Sequence, residues 1–101
     1  MVIRASSGKQ VESLLAELSS PQALSRDSAV ARLTIIGERA VVRLIDLAFD
    51  PDATSDARVA AFHALEGIGD LRAFAPAIEA LDDADGAVAV AAVGVLQVFL
   101  S

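Results

Sequence analysis

The chain has 101 residues, 54% of them hydrophobic but only 4% aromatic, with no cysteine and a formal net charge of −6. That length makes one domain, able to bury roughly two-thirds of its unfolded surface. The acidic balance argues against nucleic acid, whose phosphates demand a basic surface, and the missing cysteines exclude a disulfide framework or a thiolate metal site.

Residues 1–9 read as a flexible N-terminal tail, small and polar at Ala5-Ser6-Ser7-Gly8 and without the apolar run of a signal peptide. The folded domain is expected over 10–101. Gln10 to Leu18 sets Val11, Leu14, Leu15 and Leu18 on one face, the spacing of a short amphipathic helix. It reads as the second helix of a missing repeat, capping the N-terminal end. Ser19-Ser20-Pro21 breaks it, with Ser20 placed to cap and Pro21 suited to a first helical position.

The next helix is expected from Pro21 to Ile36, burying Ala29, Val30, Leu33 and Ile36 and ending at Gly37. Glu38 to Phe49 follows as a helix with Val41, Leu44, Ile45 and Ala48 inward. Asp50-Pro51-Asp52-Ala53-Thr54 is a turn. From Ser55 the chain places Ala57, Ala61, Ala64, Leu65 and Ile68 on one helical face, with Val59, His63 and Glu66 opposite. Ser55 and Asp56 supply N-cap side chains, and Gly67 and Gly69 end the helix. Asp70 caps a short turn over Leu71 to Phe74. A second helix starts near Ala75 or Pro76, with Ala77, Ile78 and Leu81 inward. Asp82-Asp83-Ala84-Asp85-Gly86 is a turn, and a last helix takes Val88 to Leu100. The sum is an all-α chain of about five helices in antiparallel pairs.

Parts of this pattern repeat. Val59-Ala60-Ala61 returns as Val90-Ala91-Ala92 and Leu65 as Leu96, a shift of 31. Arg58, Ala61, Leu65 and Ile68-Gly69 match Arg26, Ala29, Leu33 and Ile36-Gly37 at a shift of 32. A fixed period of this size means stacked helical units, because one helix pair cannot bury its own apolar face. Through Arg58, Ala60-Ala61, Leu65, Ile68-Gly69-Asp70, Ala73 and Leu81 the chain resembles the HEAT-repeat family, in the short bacterial form found in phycobilin lyases. The resemblance runs roughly from Pro21 to the C-terminus; Ala89 stands where Arg26 and Arg58 stand in the earlier units. It implies an α-solenoid of about two and a half HEAT-like helix pairs in a right-handed stack, and a function of binding other proteins.

No catalytic constellation is present, and the chain reads as no enzyme. The Asp82–Gly86 loop fails the EF-hand spacing: with Gly86 at the sixth loop position, Leu81 and Ala92 fall where ligands belong. No metal and no cofactor is expected. His63, the single histidine, has only Glu66 near it in sequence and reads as a solvated or interface residue. Gly67-x-Gly69 follows a helix rather than a strand and lacks the lysine of a phosphate loop.

The expected function is therefore a protein–protein interaction module, a scaffold or adaptor in the cytoplasm, with no nucleic acid and no membrane as partner. Its binding surface is assigned to Arg39, Arg43 and Asp46 on one helix face, with Arg72 and Glu79 in the next unit. The alternative is an accessory or small-molecule-binding subunit of an enzyme, such as a chromophore-lyase-like protein, which needs a large apolar pocket. In the last helix, VAVAAVGVLQVFL, Val88, Ala92, Val95, Leu96 and Phe99 are expected inside. Val90, Val93, Val98 and Leu100 then need cover from elsewhere. A homodimer through this helix supplies it, or else the chain is a fragment of a longer array.

Overall fold

The computed structural model describes residues 3–100, with side chains from 8 to 100. Among these residues the chain is all helical: α1 (Ile3–Glu17), α2 (Ala23–Ile36), α3 (Val41–Ala48), α4 (Ser55–Ile68), α5 (Phe74–Ala80) and α6 (Gly86–Leu100). Two 3-10 turns, Gly37–Ala40 and Leu71–Ala73, lead into α3 and α5. There is no strand among the described residues. The helices number six rather than about five.

Several boundaries move for local reasons. Helix α1 begins at Ile3 rather than Gln10, since nothing from Ile3 to Lys9 is a helix terminator except the single Gly8, which costs only about 1 kcal/mol. Met1 and Val2 of the expected tail lie outside the described residues. Pro21 stays outside α2, which opens at Ala23 after the Gln22 N–H donates to Ser20 Oγ at 3.2 Å. Helix α4 is capped by Thr54, whose Oγ1 accepts from the Ala57 N–H at 3.1 Å, and not by Ser55 or Asp56. Asp56 instead sits in the first turn, where a carboxylate favours the helix dipole. Only Gly69 ends α4, in the left-handed region at φ 70°. Gly67 lies inside the helix.

The expected inner faces are largely observed. Val11, Leu14, Leu15 and Leu18 of the N-terminal segment are buried, as are Leu33 in α2, Val41 and Leu44 in α3, Leu65 in α4, and Val88 and Val95 in α6. Each fully buried Leu, Val or Phe contributes about 1.5–3 kcal/mol relative to exposure. Two faces differ. Val59 packs partly buried against the core rather than facing solvent, because α4 is flanked by α2, α3 and α6 at once. Ile78 and Leu81 are 46% and 41% exposed; Ala73, Ala77 and Ala80 are the inner residues of their segment. The 3-10 turn through Ala73 resets the phase, so that three-and-four spacing now selects the alanines.

Helices α2, α4 and α6 pack side by side in chain order, and α1, α3 and α5 each pack on the even-numbered helix that follows. The broadest surface joins α4 to α6; two others join α3 to α4 and α5 to α6. Helix α2 meets the region of α3 mostly through the Gly37–Ala40 turn. All four phenylalanines serve these two surfaces. Phe49 and Phe62 meet edge to face at 6.0 Å across α3–α4, and Phe74 and Phe99 at 5.7 Å across α5–α6. Phe62 is fully buried, and the spacing argument left it unassigned.

The repeated arginine has a structural role. Arg58 donates through Nε to the Ala48 carbonyl, at the end of α3, at 2.8 Å, and its guanidinium pairs with Asp83 before α6. Arg26 repeats the arrangement one unit earlier. It donates to the Ser20 carbonyl at 2.8 Å and lies 3.7 Å from Asp56 at the start of α4. Arg58 satisfies a carbonyl at the end of α3 and Arg26 one in the turn between α1 and α2, and each ties it to the next unit. Ala89 in α6, with only a methyl group, carries no donor to continue the series.

Candidate protein-binding surface

The residues assigned to partner binding are all exposed, but they divide between elements. Arg39 belongs to the 3-10 turn before α3 and so does not share a helix with Arg43 and Asp46. Arg72 lies in the turn before α5, and Glu79 in α5 itself.

Arg43 and Asp46 come together on one shallow groove of about 550 Å³ between α1 and α3. Its apolar floor comes from Leu15, Ile45, Leu47 and Phe49, and Asp50 adds a second carboxylate at the rim. Arg43 is held by a bidentate pair with Glu12 of α1, one bond of which, Nη2 to Oε1, spans 3.0 Å. The guanidinium is thereby fixed at the edge of the groove with half its surface open. Arg39, Arg72 and Glu79 do not line this groove. The contribution of Glu12 and Leu15 was invisible to a repeat-by-repeat reading, since only the packing of α1 shows which residues of α3 it faces.

Arg72 is committed elsewhere. Its Nε and Nη2 donate to the two Asp70 carboxylate oxygens at 3.0 and 2.9 Å, and Nη2 also reaches the Glu38 carbonyl at 3.2 Å. These hydrogen bonds hold the Asp70 carboxyl down to about 2 and raise the Arg72 guanidinium above its ordinary value. Arg72 thus links two consecutive turns. In the turn before α6, the Arg58 guanidinium holds Asp83 below the usual carboxylate range. The Ser55 hydroxyl is the main cause of the lowering at Asp85.

His63 and Glu66 are exposed on α4. Among the described residues, no charged or polar side chain is buried, and no three His, Cys, Asp or Glu side chains are grouped to hold a metal ion. No described helix is long and apolar enough to cross a membrane.

The four residues assigned to self-association are uncovered: Val90 is 71% exposed, Val93 42%, Val98 43% and Leu100 72%. Val98 differs from the others, because it leans toward Gly69 at the end of α4. At the opposite end of the molecule Leu24 and Ile35 of α2 are 84% and 85% exposed. The spacing argument had placed neither. No protein-family model and no curated protein matches the chain.

Proposed function

We propose that the chain is a protein-interaction module, a scaffold or adaptor built as a HEAT-like α-solenoid of about two and a half helix pairs, with no reaction of its own. The observation that carries this reading is the α1–α3 groove: open, apolar along its floor, and edged by Arg43, Asp46 and Asp50. Such a surface suits a segment of another protein that lays apolar side chains on the floor and charges on the rim. The cytoplasm is the proposed setting. The repeated Arg26 and Arg58 bridges and the row α2, α4, α6 support the solenoid reading.

The test is an affinity capture with the intact chain, read by mass spectrometry, followed by binding measurements on Arg43→Glu and Asp46→Lys. Both variants should weaken a captured partner while Glu79→Lys, away from the groove, leaves it unchanged. Equal binding by all three would move the site off the groove.

A further inference from the structure

The groove between α1 and α3 is edged by charges in a fixed order. Arg43, Asp46 and Asp50 follow one another at steps of three and four, so they stand in one row along α3 and just past its end. The row is held at both ends. Arg43 is fixed by Glu12 through Nη1 and Nη2, which leaves the Nε–H edge of its guanidinium without a partner among the described residues. Asp50 keeps to the line because its N–H donates to the Leu47 carbonyl at 3.2 Å, and its Oδ1 accepts from the Asp52 N–H at 2.8 Å. Among the described residues neither Asp46 nor Asp50 is in an ion pair. Both lie at the C-terminal end of α3, where the helix dipole itself favours a cation. Beside the row runs the apolar floor of Leu15, Ile45 and Phe49.

Peptide segments are held by proteins in a few physical ways, and this groove suits one of them. Strand addition needs a free sheet edge, and the described residues contain no strand. A polyproline segment needs a groove lined by aromatic rings. The floor has one ring, Phe49, already packed edge to face on Phe62 at 6.0 Å. An acidic or phosphorylated segment needs a cluster of arginines, whereas a single arginine stands here beside two carboxylates. The remaining way is a helix laid along the groove with its apolar stripe on the floor.

We propose that the groove receives an amphipathic helix of another protein whose apolar stripe is bordered by one acidic and two basic residues at three-and-four spacing. The proposal rests on the reading of the chain as a protein-interaction module. The acidic residue meets the open edge of Arg43, where a guanidinium takes a second carboxylate, and the two basic residues meet Asp46 and Asp50. Charge order then selects the partner and its direction, while the floor supplies the apolar contact. An acidic helix is repelled at both aspartates. One helix on a shallow groove falls at the small end of specific interfaces, below about 1,200 Å², so the association is weak and reversible. The row is exposed, and its share of the binding falls as salt rises.

The probe is a fluorescein-labelled, alanine-rich peptide of about 14 residues, roughly 21 Å of helix. It carries leucines at three-and-four spacing with a Glu–Lys–Lys row beside them; a second peptide has the row as Lys–Lys–Glu, for the opposite chain direction. Two controls carry the opposite charges. One matched peptide should bind the intact chain and shift the amide signals of Ile45 and Phe49, with its charge-reversed control about tenfold or more weaker. Asp46→Lys, at an exposed site and with an unchanged melting curve, should weaken the matched peptide about fivefold. A glutamate at the peptide's middle charged position should restore it. Equal binding of matched and reversed rows with shifts still at the groove, or a loss that the glutamate does not rescue, overturns the charge row and leaves the groove as the site. If neither matched peptide binds, the helical occupant is overturned; a captured partner still weakened by Asp46→Lys then keeps the groove. Shifts confined to other surfaces overturn both.

Discussion

Gly67 lies so close to Thr34 that no larger residue fits between α4 and α2 without movement. The Thr34 hydroxyl is itself engaged, donating to the Val30 carbonyl at 2.8 Å. A β-branched side chain held in this way has little freedom to turn aside. The glycine therefore sets the approach of two helices, and its place in a helix interior, disfavoured by about 1 kcal/mol against alanine, has a packing reason.

This separates two glycines that look alike in sequence. Gly67→Ala should destabilise the fold by about 1–3 kcal/mol, as overpacking does, and Thr34→Ala in the same molecule should restore most of the loss. Gly94→Ala meets only the end of the exposed Glu66 side chain, which is free to swing into solvent. It should be neutral or stabilising by up to about 1 kcal/mol. Urea melts of the three variants check this; equal losses at Gly67 and Gly94 would mean that the α2–α4 contact is not the tight one.

Leu65 is fully buried in α4 while His63, two residues earlier, is exposed. Leu65→Ala should cost about 2–4 kcal/mol and His63→Ala under about 0.5 kcal/mol. Denaturant midpoints at constant slope measure both, and a comparable loss at His63 contradicts the observed helix phase.

The Arg58 bridge predicts an acid-sensitive fold. Hydrogen bonding to Arg58 lowers the Asp83 carboxyl, so the stability it contributes is fully present above the unfolded value of about 3.9 and is lost as pH falls through the folded one. Asp83→Asn should lower stability at neutral pH and flatten part of the acid limb of a stability–pH curve. Arg58→Ala should cost about 1–3 kcal/mol at neutral pH, since the Ala48 carbonyl loses its donor. Arg26→Ala should cost less, because its acidic partner Asp56 is 70% exposed and 3.7 Å away. An acid limb unaltered in Asp83→Asn would show that the bridge adds nothing.

The pair of edge-to-face phenylalanines gives a test of which helices are partners. Phe49→Leu and Phe62→Leu should each destabilise the fold by about 1–2 kcal/mol, and the double variant by less than their sum, as residues in contact do. Additive losses would place the two rings apart, and with them α3 and α4.

The helical class, the approximate extents of the elements and most core positions were legible in the sequence, because apolar spacing of three and four is a local property of one segment. The repeat spacing was legible too, and with it the equivalence of Arg26 to Arg58. Other features depended on neighbours distant in the chain. Whether a glycine ends a helix or admits a neighbour is settled by the helix opposite: Gly69 turns the chain, while Gly67 makes room for Thr34. Val59 is covered because α4 has helices on several sides, and Ile78 is uncovered because a 3-10 turn rotated α5. Arg43 gained Glu12 and an apolar floor only through the docking of α1 on its neighbours. Periodicity is written into each segment, since side-chain direction follows the helix turn by turn; which face becomes interior is set by what packs against it, and that is a property of the assembled chain.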